Sequence, residues 1–322
     1  MFNVGRIREL ETQIRDFINQ YRQTHVLIQD LVKANILWSS LDVVGDTQLA
    51  IDTYRALQHE NHKDVGFNYL AVYGILQVLY VQQDAVRHIF ESLDIPLNLV
   101  DPKNFAEVQR VRDVRNKATG HPTKHGKKKQ PVTSHYISRN TLSLSGFTLM
   151  SADGPKTQFN DISIGELLQK QEAGVIQALA AALGELVKRE KDHKMRFKGQ
   201  TVSSLFPDTL SYYFQKVVEG TLTGKGNRGR WQFGRMHVKL LIELAAKLRQ
   251  AFLDREVIPA SDVIEDDLQD TEYPLQKLKM YYDSAKGHTL NNKDAYIYVF
   301  FVKHQFEKLR TLAQEVDQDF QV

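Results

Sequence analysis

Val111-Arg112-Asp113-Val114-Arg115-Asn116-Lys117-Ala118-Thr119-Gly120-His121-Pro122 is the stretch on which the reading of this chain turns. Val111, Val114 and Ala118 continue an apolar stripe begun by Phe105 and Val108, in the three- and four-residue steps of an amphipathic helix. Gly120 suits a left-handed C-cap, and Pro122 cannot continue a helix. The spacing predicts a helix that starts near Asp101-Pro102 and ends at Gly120. Arg115 falls at the edge of its buried stripe. On an unbroken helix His121, six residues on, would point well away from Arg115 at ~100° per residue. A left-handed turn at Gly120 is expected to swing it back beside the guanidinium.

Positive charge is concentrated at this helix end. Between Arg110 and Lys129 stand eight basic residues, Arg110, Arg112, Arg115, Lys117, Lys124, Lys127, Lys128 and Lys129, against one acid, Asp113. The window carries +7 in a chain of net +3, which leaves −4 for all other residues. A local positive field attracts polyanions. For the lysine run alone, a solvated loop is the ordinary reading.

Composition bounds what else the chain can be. Its 322 residues suffice for one large core or two domains, and 42% hydrophobic with 25% charged residues is a globular balance. The absence of cysteine excludes disulfides, thiolate nucleophiles and Cys-ligated zinc or iron–sulfur sites. Met1 to Arg6 lacks the apolar core of a signal peptide. The best candidate for a membrane span, Val65 to Leu79, is too short and runs into Gln82, Gln83 and Asp84. A cytoplasmic protein without a membrane partner is expected.

Along the chain, apolar residues from Val4 to Trp38 predict one long helix over residues 3 to about 40, broken at Gly45-Asp46-Thr47 and followed by a short helix to Leu57. His59-Glu60-Asn61-His62 has no metal-site spacing and reads as a polar connection. Asp64 to Leu93 predicts the most regular helix, with Val65, Tyr69, Val72, Leu76, Leu79, Gln83, Val86, Phe90 and Leu93 on one stripe. Gln83 is polar at a seam position and Asp84 stands beside it. Either Gln83 fixes helix register, or the seam opens there into a polar cleft shared with Arg115 and His121. His135–Ser138, Thr141–Leu144 and Phe147–Met150 are short and β-prone, and predict a hairpin or meander closed by Asp153-Gly154-Pro155. Ser163 and Glu166 form a capping-box pattern for a helix to about Lys191. Further helices are expected at about Pro207–Glu219, Trp231–Arg255, Pro274–Ala285 and Lys293–Asp319. Thr223–Arg230 is glycine-rich and basic but lacks the ending of a P-loop, and reads as a surface loop. Acids between Asp254 and Glu272 fit a helix start at Ser261-Asp262 better than a metal site. The expected organisation is a bundle over 1–130, a β insert over 131–160 and a helical region over 161–322.

Arg115, Asn116 and His121 suit metal-independent cleavage of a phosphodiester. Histidine moves protons near neutral pH, and arginine holds phosphate oxygens in a planar fork while charge builds on them. RNA supplies the nucleophile in its ribose 2′-OH; attack on the adjacent phosphate leaves a cyclic phosphate and a 5′-OH. No G-x-S-x-G elbow or H-E-x-x-H site competes with this reading.

The form R-N-x-x-x-x-H over Arg115–His121, at the end of the last helix of a predicted bundle, resembles the motif of the HEPN superfamily, many of whose members are RNA-cleaving toxins or defence nucleases. The stretches Tyr73–Gln77 and Val81–Asp84 are similar to the long second helix of HEPN-like bacterial proteins. The resemblance spans about residues 1–125. It implies a mostly α fold, an antiparallel HEPN-like bundle, here with a small β insert and a second, C-terminal helical region. It implies catalysis by Arg115 and His121 supported by Asn116, in a homodimer whose two motifs line one cleft, without metal or cofactor. RNA would be the substrate, contacted by Gln83, Asp84, Arg112, Lys117, Lys124, Lys127 and Lys128, and the role that of a toxin or antiphage effector with an antitoxin or regulatory protein as partner. The chain departs from one branch of the family in having no tyrosine closely after His121. Some members are non-catalytic and bind RNA, nucleotides or proteins, which is the alternative reading.

Overall fold

A computed structural model describes residues 4–20, 23, 30–59, 63–99, 102–120, 122, 133–258, 261–284 and 290–321. The chain is mostly helical, with one small antiparallel sheet. It forms two compact units. One holds the described residues up to Val187 except Gln23, and the other holds Gln23 and the described residues from Lys188 onward.

In the first unit, α1 (Val4–Ile18) buries Ile7, Leu10, Ile14 and Ile18. It packs antiparallel to α2 (Leu31–Leu57), where Arg8 pairs with Asp52 and Arg15 with Asp42. The single helix expected over 3–40 is therefore wrong. α1 ends at Ile18, and a new helix starts at Asp30, whose carboxylate accepts the Val32 and Lys33 amides at 3.1 Å each. Gly45 and Thr47, expected to break the chain, lie inside α2. A mid-helix glycine costs only about 1 kcal/mol, and burial of Leu41, Val44, Ile51 and Tyr54 around it outweighs that.

α3 (Val65–Ser92) is capped by Asp64, which accepts the Phe67 amide. By length and composition it is the one described helix that could cross a bilayer, since it continues well past Leu79. Its seam is polar at the centre. Gln171, from α5 (Ile164–Met195), donates to the Leu79 carbonyl and to Gln82 Oε1, both at 3.0 Å. Gln82 and Gln171 are 0% and 1% exposed. Buried amides are tolerated where they are hydrogen-bonded, and these tie α3 to α5.

α4 (Pro102–Arg115) follows, ending in a π turn over Asn116–Gly120. The sheet has the order β1 (Ser134–Ile137), β2 (Gly146–Asp153), β3 (Lys156–Ser163), with Tyr136 opposite Met150 and Leu149 opposite Asn160. The sequence reading missed β3 and assigned a strand to Thr141–Leu144, which instead forms the connection into β2. β3 is exposed at every position but Ile162, so it carries no alternation to read. Ile137, Leu142, Leu144, Phe147, Leu149 and Ile162 share a core with Val72, Leu76, Val111, Val114 and the start of α5. The sheet thus belongs to the N-terminal unit rather than standing apart as an insert, and the division falls inside α5 instead of at residue 161. Ser163 Oγ accepts the Glu166 amide at the start of α5.

The second unit contains α6 (Leu210–Thr223), α7 (Arg228–Asp254), α8 (Asp262–Asp283) and α9 (Asn292–Asp319) around Phe214, Val217, Leu241, Phe252, Leu268, Tyr282 and Phe306. Pro274 does not begin a helix; α8 starts at Asp262, capped by Ser261, and runs through the proline. Among the described residues no acid cluster is arranged to hold a metal. Arg249 instead clasps Glu272 with Nε (2.7 Å) and Nη2 (3.0 Å), and Glu265 with Nη1 (2.7 Å). That hydrogen bond, seconded by Gln269, holds the Glu265 carboxyl below its ordinary pKa. A depressed carboxyl contributes stability above the unfolded value, about 4.3, and loses it as pH falls through the lower folded value. Arg249→Met is expected to cost about 1 kcal/mol at neutral pH, because the pairs are partly solvated. Its denaturation midpoint should converge on that of the parent near pH 3; a gap that persists in acid would show that packing, not charge, holds the clasp.

Candidate phosphate-binding site at the end of α4

Arg115 is the last residue of α4 proper and leads into the π turn. Such turns widen a helix by one residue and are frequent at functional sites. Here the Thr119 hydroxyl donates to the Arg115 carbonyl at 3.0 Å, competing for the acceptor that a regular turn would use, while Ala118 stays buried. Gly120 is not in the left-handed conformation expected of it. Its role is one of close approach: a Cβ there would lie 2.8 Å from Arg115 Nη1. The guanidinium lies back over the turn that follows it.

Three neutral groups hold that guanidinium. Gln77 Oε1, from α3, accepts from Nε at 3.1 Å and from Nη2 at 2.8 Å. Asn116 Oδ1 accepts from Nη1 at 3.0 Å. The ring of Tyr80 lies 4.3 Å from the guanidinium carbon, a cation–π contact. Among the described residues no carboxylate pairs with Arg115, so its charge is oriented but not neutralised.

Arg112 differs. It lies 4.2 Å from the same Tyr80 ring, but its Nη2 is bonded to Asp84. The two residues, both expected as substrate contacts, neutralise one another. Gln83 is engaged too: it donates to the Val108 carbonyl at 3.0 Å and to Gln171 Oε1 at 2.8 Å. This is the register-fixing role, and the side of α3 that meets Arg115 is made of Gln77 and Tyr80, one to two turns earlier. Lys117 is half-buried in the π turn. His121, Lys124, Lys127 and Lys128 lie outside the described residues.

Sequence reasoning missed Gln77 and Tyr80. The signal was present in the spacing, since Leu70, Tyr73, Gln77, Tyr80 and Asp84 recur at three- and four-residue steps and share one face of α3. That face is open at its N-terminal end, where Leu70 is 73% and Tyr73 42% exposed. Burial, and then the neighbouring Tyr69, raises the Tyr73 hydroxyl above its ordinary pKa, so it stays protonated at neutral pH. The other basic candidate, Thr223–Arg230, belongs to the second unit, where Lys225, Arg228 and Arg230 are exposed and Asn227 caps α7 by accepting the Arg230 amide.

Chemically, the arrangement is a planar cation preorganised by neutral acceptors and an aromatic face at a helix end. Fold and site together define a two-unit, mostly helical protein whose N-terminal unit carries an oriented arginine, Arg115, with no carboxylate partner among the described residues. No protein-family model matches the chain, no curated protein matches it, and no solved structure matches it.

Proposed function

We propose that this protein is a HEPN-like, metal-independent endoribonuclease that cleaves RNA by 2′-OH attack, leaving a cyclic phosphate, and that it acts as a toxin or antiphage effector. The observation that carries the reading is the Arg115 guanidinium, fixed by Gln77, Asn116 and Tyr80 without a carboxylate among the described residues, six residues before His121. Among the described residues Arg115 is an arginine held by neutral groups alone. One left charged and oriented suits a phosphate that gains charge in the transition state. In this mechanism Arg115 holds the scissile phosphate, Asn116 keeps the guanidinium in place, and His121 transfers the proton of the 2′-OH or of the leaving oxygen. The open apolar end of α3, at Leu70 and Tyr73, lies on the same face as Gln77 and supports pairing of two copies across that face, so that two sites share one cleft.

The test is incubation of purified protein with end-labelled RNA in EDTA, with products mapped for cyclic phosphate and sedimentation used to count subunits. Cleavage that disappears in Arg115→Ala and in His121→Ala is expected. Salt-sensitive RNA binding without any product would replace the reading with a non-catalytic RNA-binding module.

Gly120→Ala separates placement of the guanidinium from its presence. The clash at 120 falls on the far end of a flexible side chain rather than on backbone, so the fold should yield: a stability change within about 1 kcal/mol is expected, with alanine's helix propensity opposing the strain. Displacement of Arg115 by about 1 Å should lower single-turnover cleavage by roughly ten- to a hundredfold. An unchanged rate would mean that Gly120 has no part in placing Arg115.

A further inference from the structure

β3 is an open edge of the sheet. The Ser138 amide donates to the Thr148 carbonyl at 3.0 Å, so Thr148 turns its main-chain groups towards β1. In an antiparallel ladder these groups alternate in direction along a strand, and Met150 and Ala152 therefore also bond towards β1. Their partners on β3, together with that of Thr148, are Phe159, Thr157 and Asp161. Those three are left with N–H and C=O groups aimed away from the sheet. The opposite edge is shorter and partly used: β1 has four residues, and the His135 amide donates to the Pro122 carbonyl. Sheet edges are commonly guarded by brevity, a bulge, proline or lysine. β3 pairs with β2 in unbroken register over all eight of its residues, holds no proline, and carries its one lysine, Lys156, at its start.

The side chains point the same way. Tyr136, Met150 and Phe159 stand in one row across the outer face, with Tyr136 46% and Phe159 65% exposed. Ile137, Leu149 and Ile162, at alternate positions, fill the core behind them. The row runs out at the open edge. We infer that a second copy of this chain adds its own β3 there, antiparallel, about a two-fold axis that passes between the two Phe159 residues. Such an axis stands perpendicular to the sheet, so facing residues share a face, and the free main-chain groups match: Phe159 lies opposite Phe159 of the copy and Thr157 opposite Asp161 of the copy. The apolar row doubles in length through an aromatic pair. The Thr157 hydroxyl donates to the Asp161 carboxylate across the axis, as the Thr148 hydroxyl does within the chain at 2.6 Å. On the other face Gln158 meets Asn160. Over residues 134–163 Arg139 and Lys156 balance Asp153 and Asp161, which suits a like strand and gives no positive field for a nucleic-acid backbone. The contact lies apart from Leu70 and Tyr73 of α3 and does not rest on the reading of Arg115.

The experiment uses the full chain, whose lack of cysteine lets one introduced thiol report one position. With copper–phenanthroline as oxidant, Phe159→Cys should form a disulfide-linked dimer, because facing residues of a hydrogen-bonded pair have Cα atoms ~5.5 Å apart, within disulfide reach. Lys156→Cys should not: in this register residue 156 faces 162 of the copy, which puts the two thiols six residues, roughly 20 Å, apart. Phe159→Lys sets like charges on the axis and removes the ring pair, and should weaken self-association in sedimentation by about tenfold. Its thermal unfolding should match the parent's at a dilution where both are monomers, since residue 159 is exposed. Leu70→Asp, aimed at the α3 face, should leave the cross-link at 159 in place, which separates this contact from the pairing proposed for the Arg115 site. Cross-linking at 156 as readily as at 159, loss of the 159 cross-link in Leu70→Asp, or self-association unchanged by Phe159→Lys overturns the proposal. Suppression of the cross-link by single-stranded RNA would overturn it in favour of base stacking on Tyr136 and Phe159.

Discussion

Arg115→Ala is expected to lower RNA cleavage in EDTA by about a thousandfold, at a cost to the fold of only about 1 kcal/mol. The two magnitudes differ because the groups that hold Arg115 are neutral and partly solvated. Removing the guanidinium frees Gln77 and Asn116 for water and leaves no charge buried without its partner. The stability lost is that of two or three ordinary hydrogen bonds and one cation–π contact, most of it regained by hydration. The charge developing on a phosphate has no such substitute. Arg115→Lys should recover little of the rate. Lysine keeps the charge but cannot bond Gln77 through two nitrogens, bond Asn116 and lie on Tyr80 at once. Tyr80→Leu should fall between the two, since the amides remain. The comparison is made by single-turnover rates on one labelled RNA beside urea midpoints. A rate loss no larger than the stability loss would remove Arg115 from the chemistry.

Gly234→Ala should destabilise the second unit by about 2–3 kcal/mol, although alanine is the better helix former by about 1 kcal/mol. Tyr282 decides the sign. It is fully buried, its hydroxyl donates to the Val217 carbonyl at 2.6 Å, and Trp231 and Tyr281 pack on it with centroids 4.8 and 5.1 Å away. A Cβ on Gly234 would meet Tyr282 Oη at 2.6 Å and ring carbons at 2.8 Å. One on Gly220 would meet the same oxygen at 2.6 Å and the Arg230 carbonyl at 3.0 Å. The tyrosine is thus clamped between glycines of α6 and α7, and no flexible end can give way. At Gly220 the nearest atom is the hydroxyl itself. Tyr282→Phe should therefore relieve part of the Gly220→Ala defect and less of the Gly234→Ala defect, where two ring carbons at 2.8 Å remain after the hydroxyl is gone. Trp231 fluorescence in a Trp38→Phe background reports unfolding of this unit alone. A stabilised Gly234→Ala protein would show that the ring has room to move.

Much of the helical framework was legible. Val72, Leu76, Leu79, Val86 and Phe90, expected on one stripe of α3, are all buried, the first three in the core they share with Val111, Val114 and Ala118 and the last two in the core shared with α1 and α2. Periodicity is a local property and survives translation into structure. The errors share a cause. Leu31, which continues the apolar spacing of α1, is 63% exposed, and the buried stripe of α2 starts instead at Ala34 and Leu37; the Asp30 cap marks the new start. β3 has one buried residue, so it leaves no pattern. The start at Ser261-Asp262 holds, but the helix does not stop before Pro274: one helix runs through the proline, where a separate helix is expected from its residue type.

At the candidate site the division is clearest. The sequence alone determined that Arg115, Asn116 and Thr119-Gly120 end an amphipathic helix within a basic window, and that no cysteine chemistry competes with them. It could not determine which cation stays free. Arg112 and Arg115 are three residues apart on the same helix, and nothing in their local sequence distinguishes them. The register of α4 against α3 does: it sets Asp84 beside Arg112 and Gln77, 38 residues away in the chain, beside Arg115. A charge's availability depends on what stands within a few ångströms of it, and for these two arginines that is fixed by the packing of two helices, not by their own sequence.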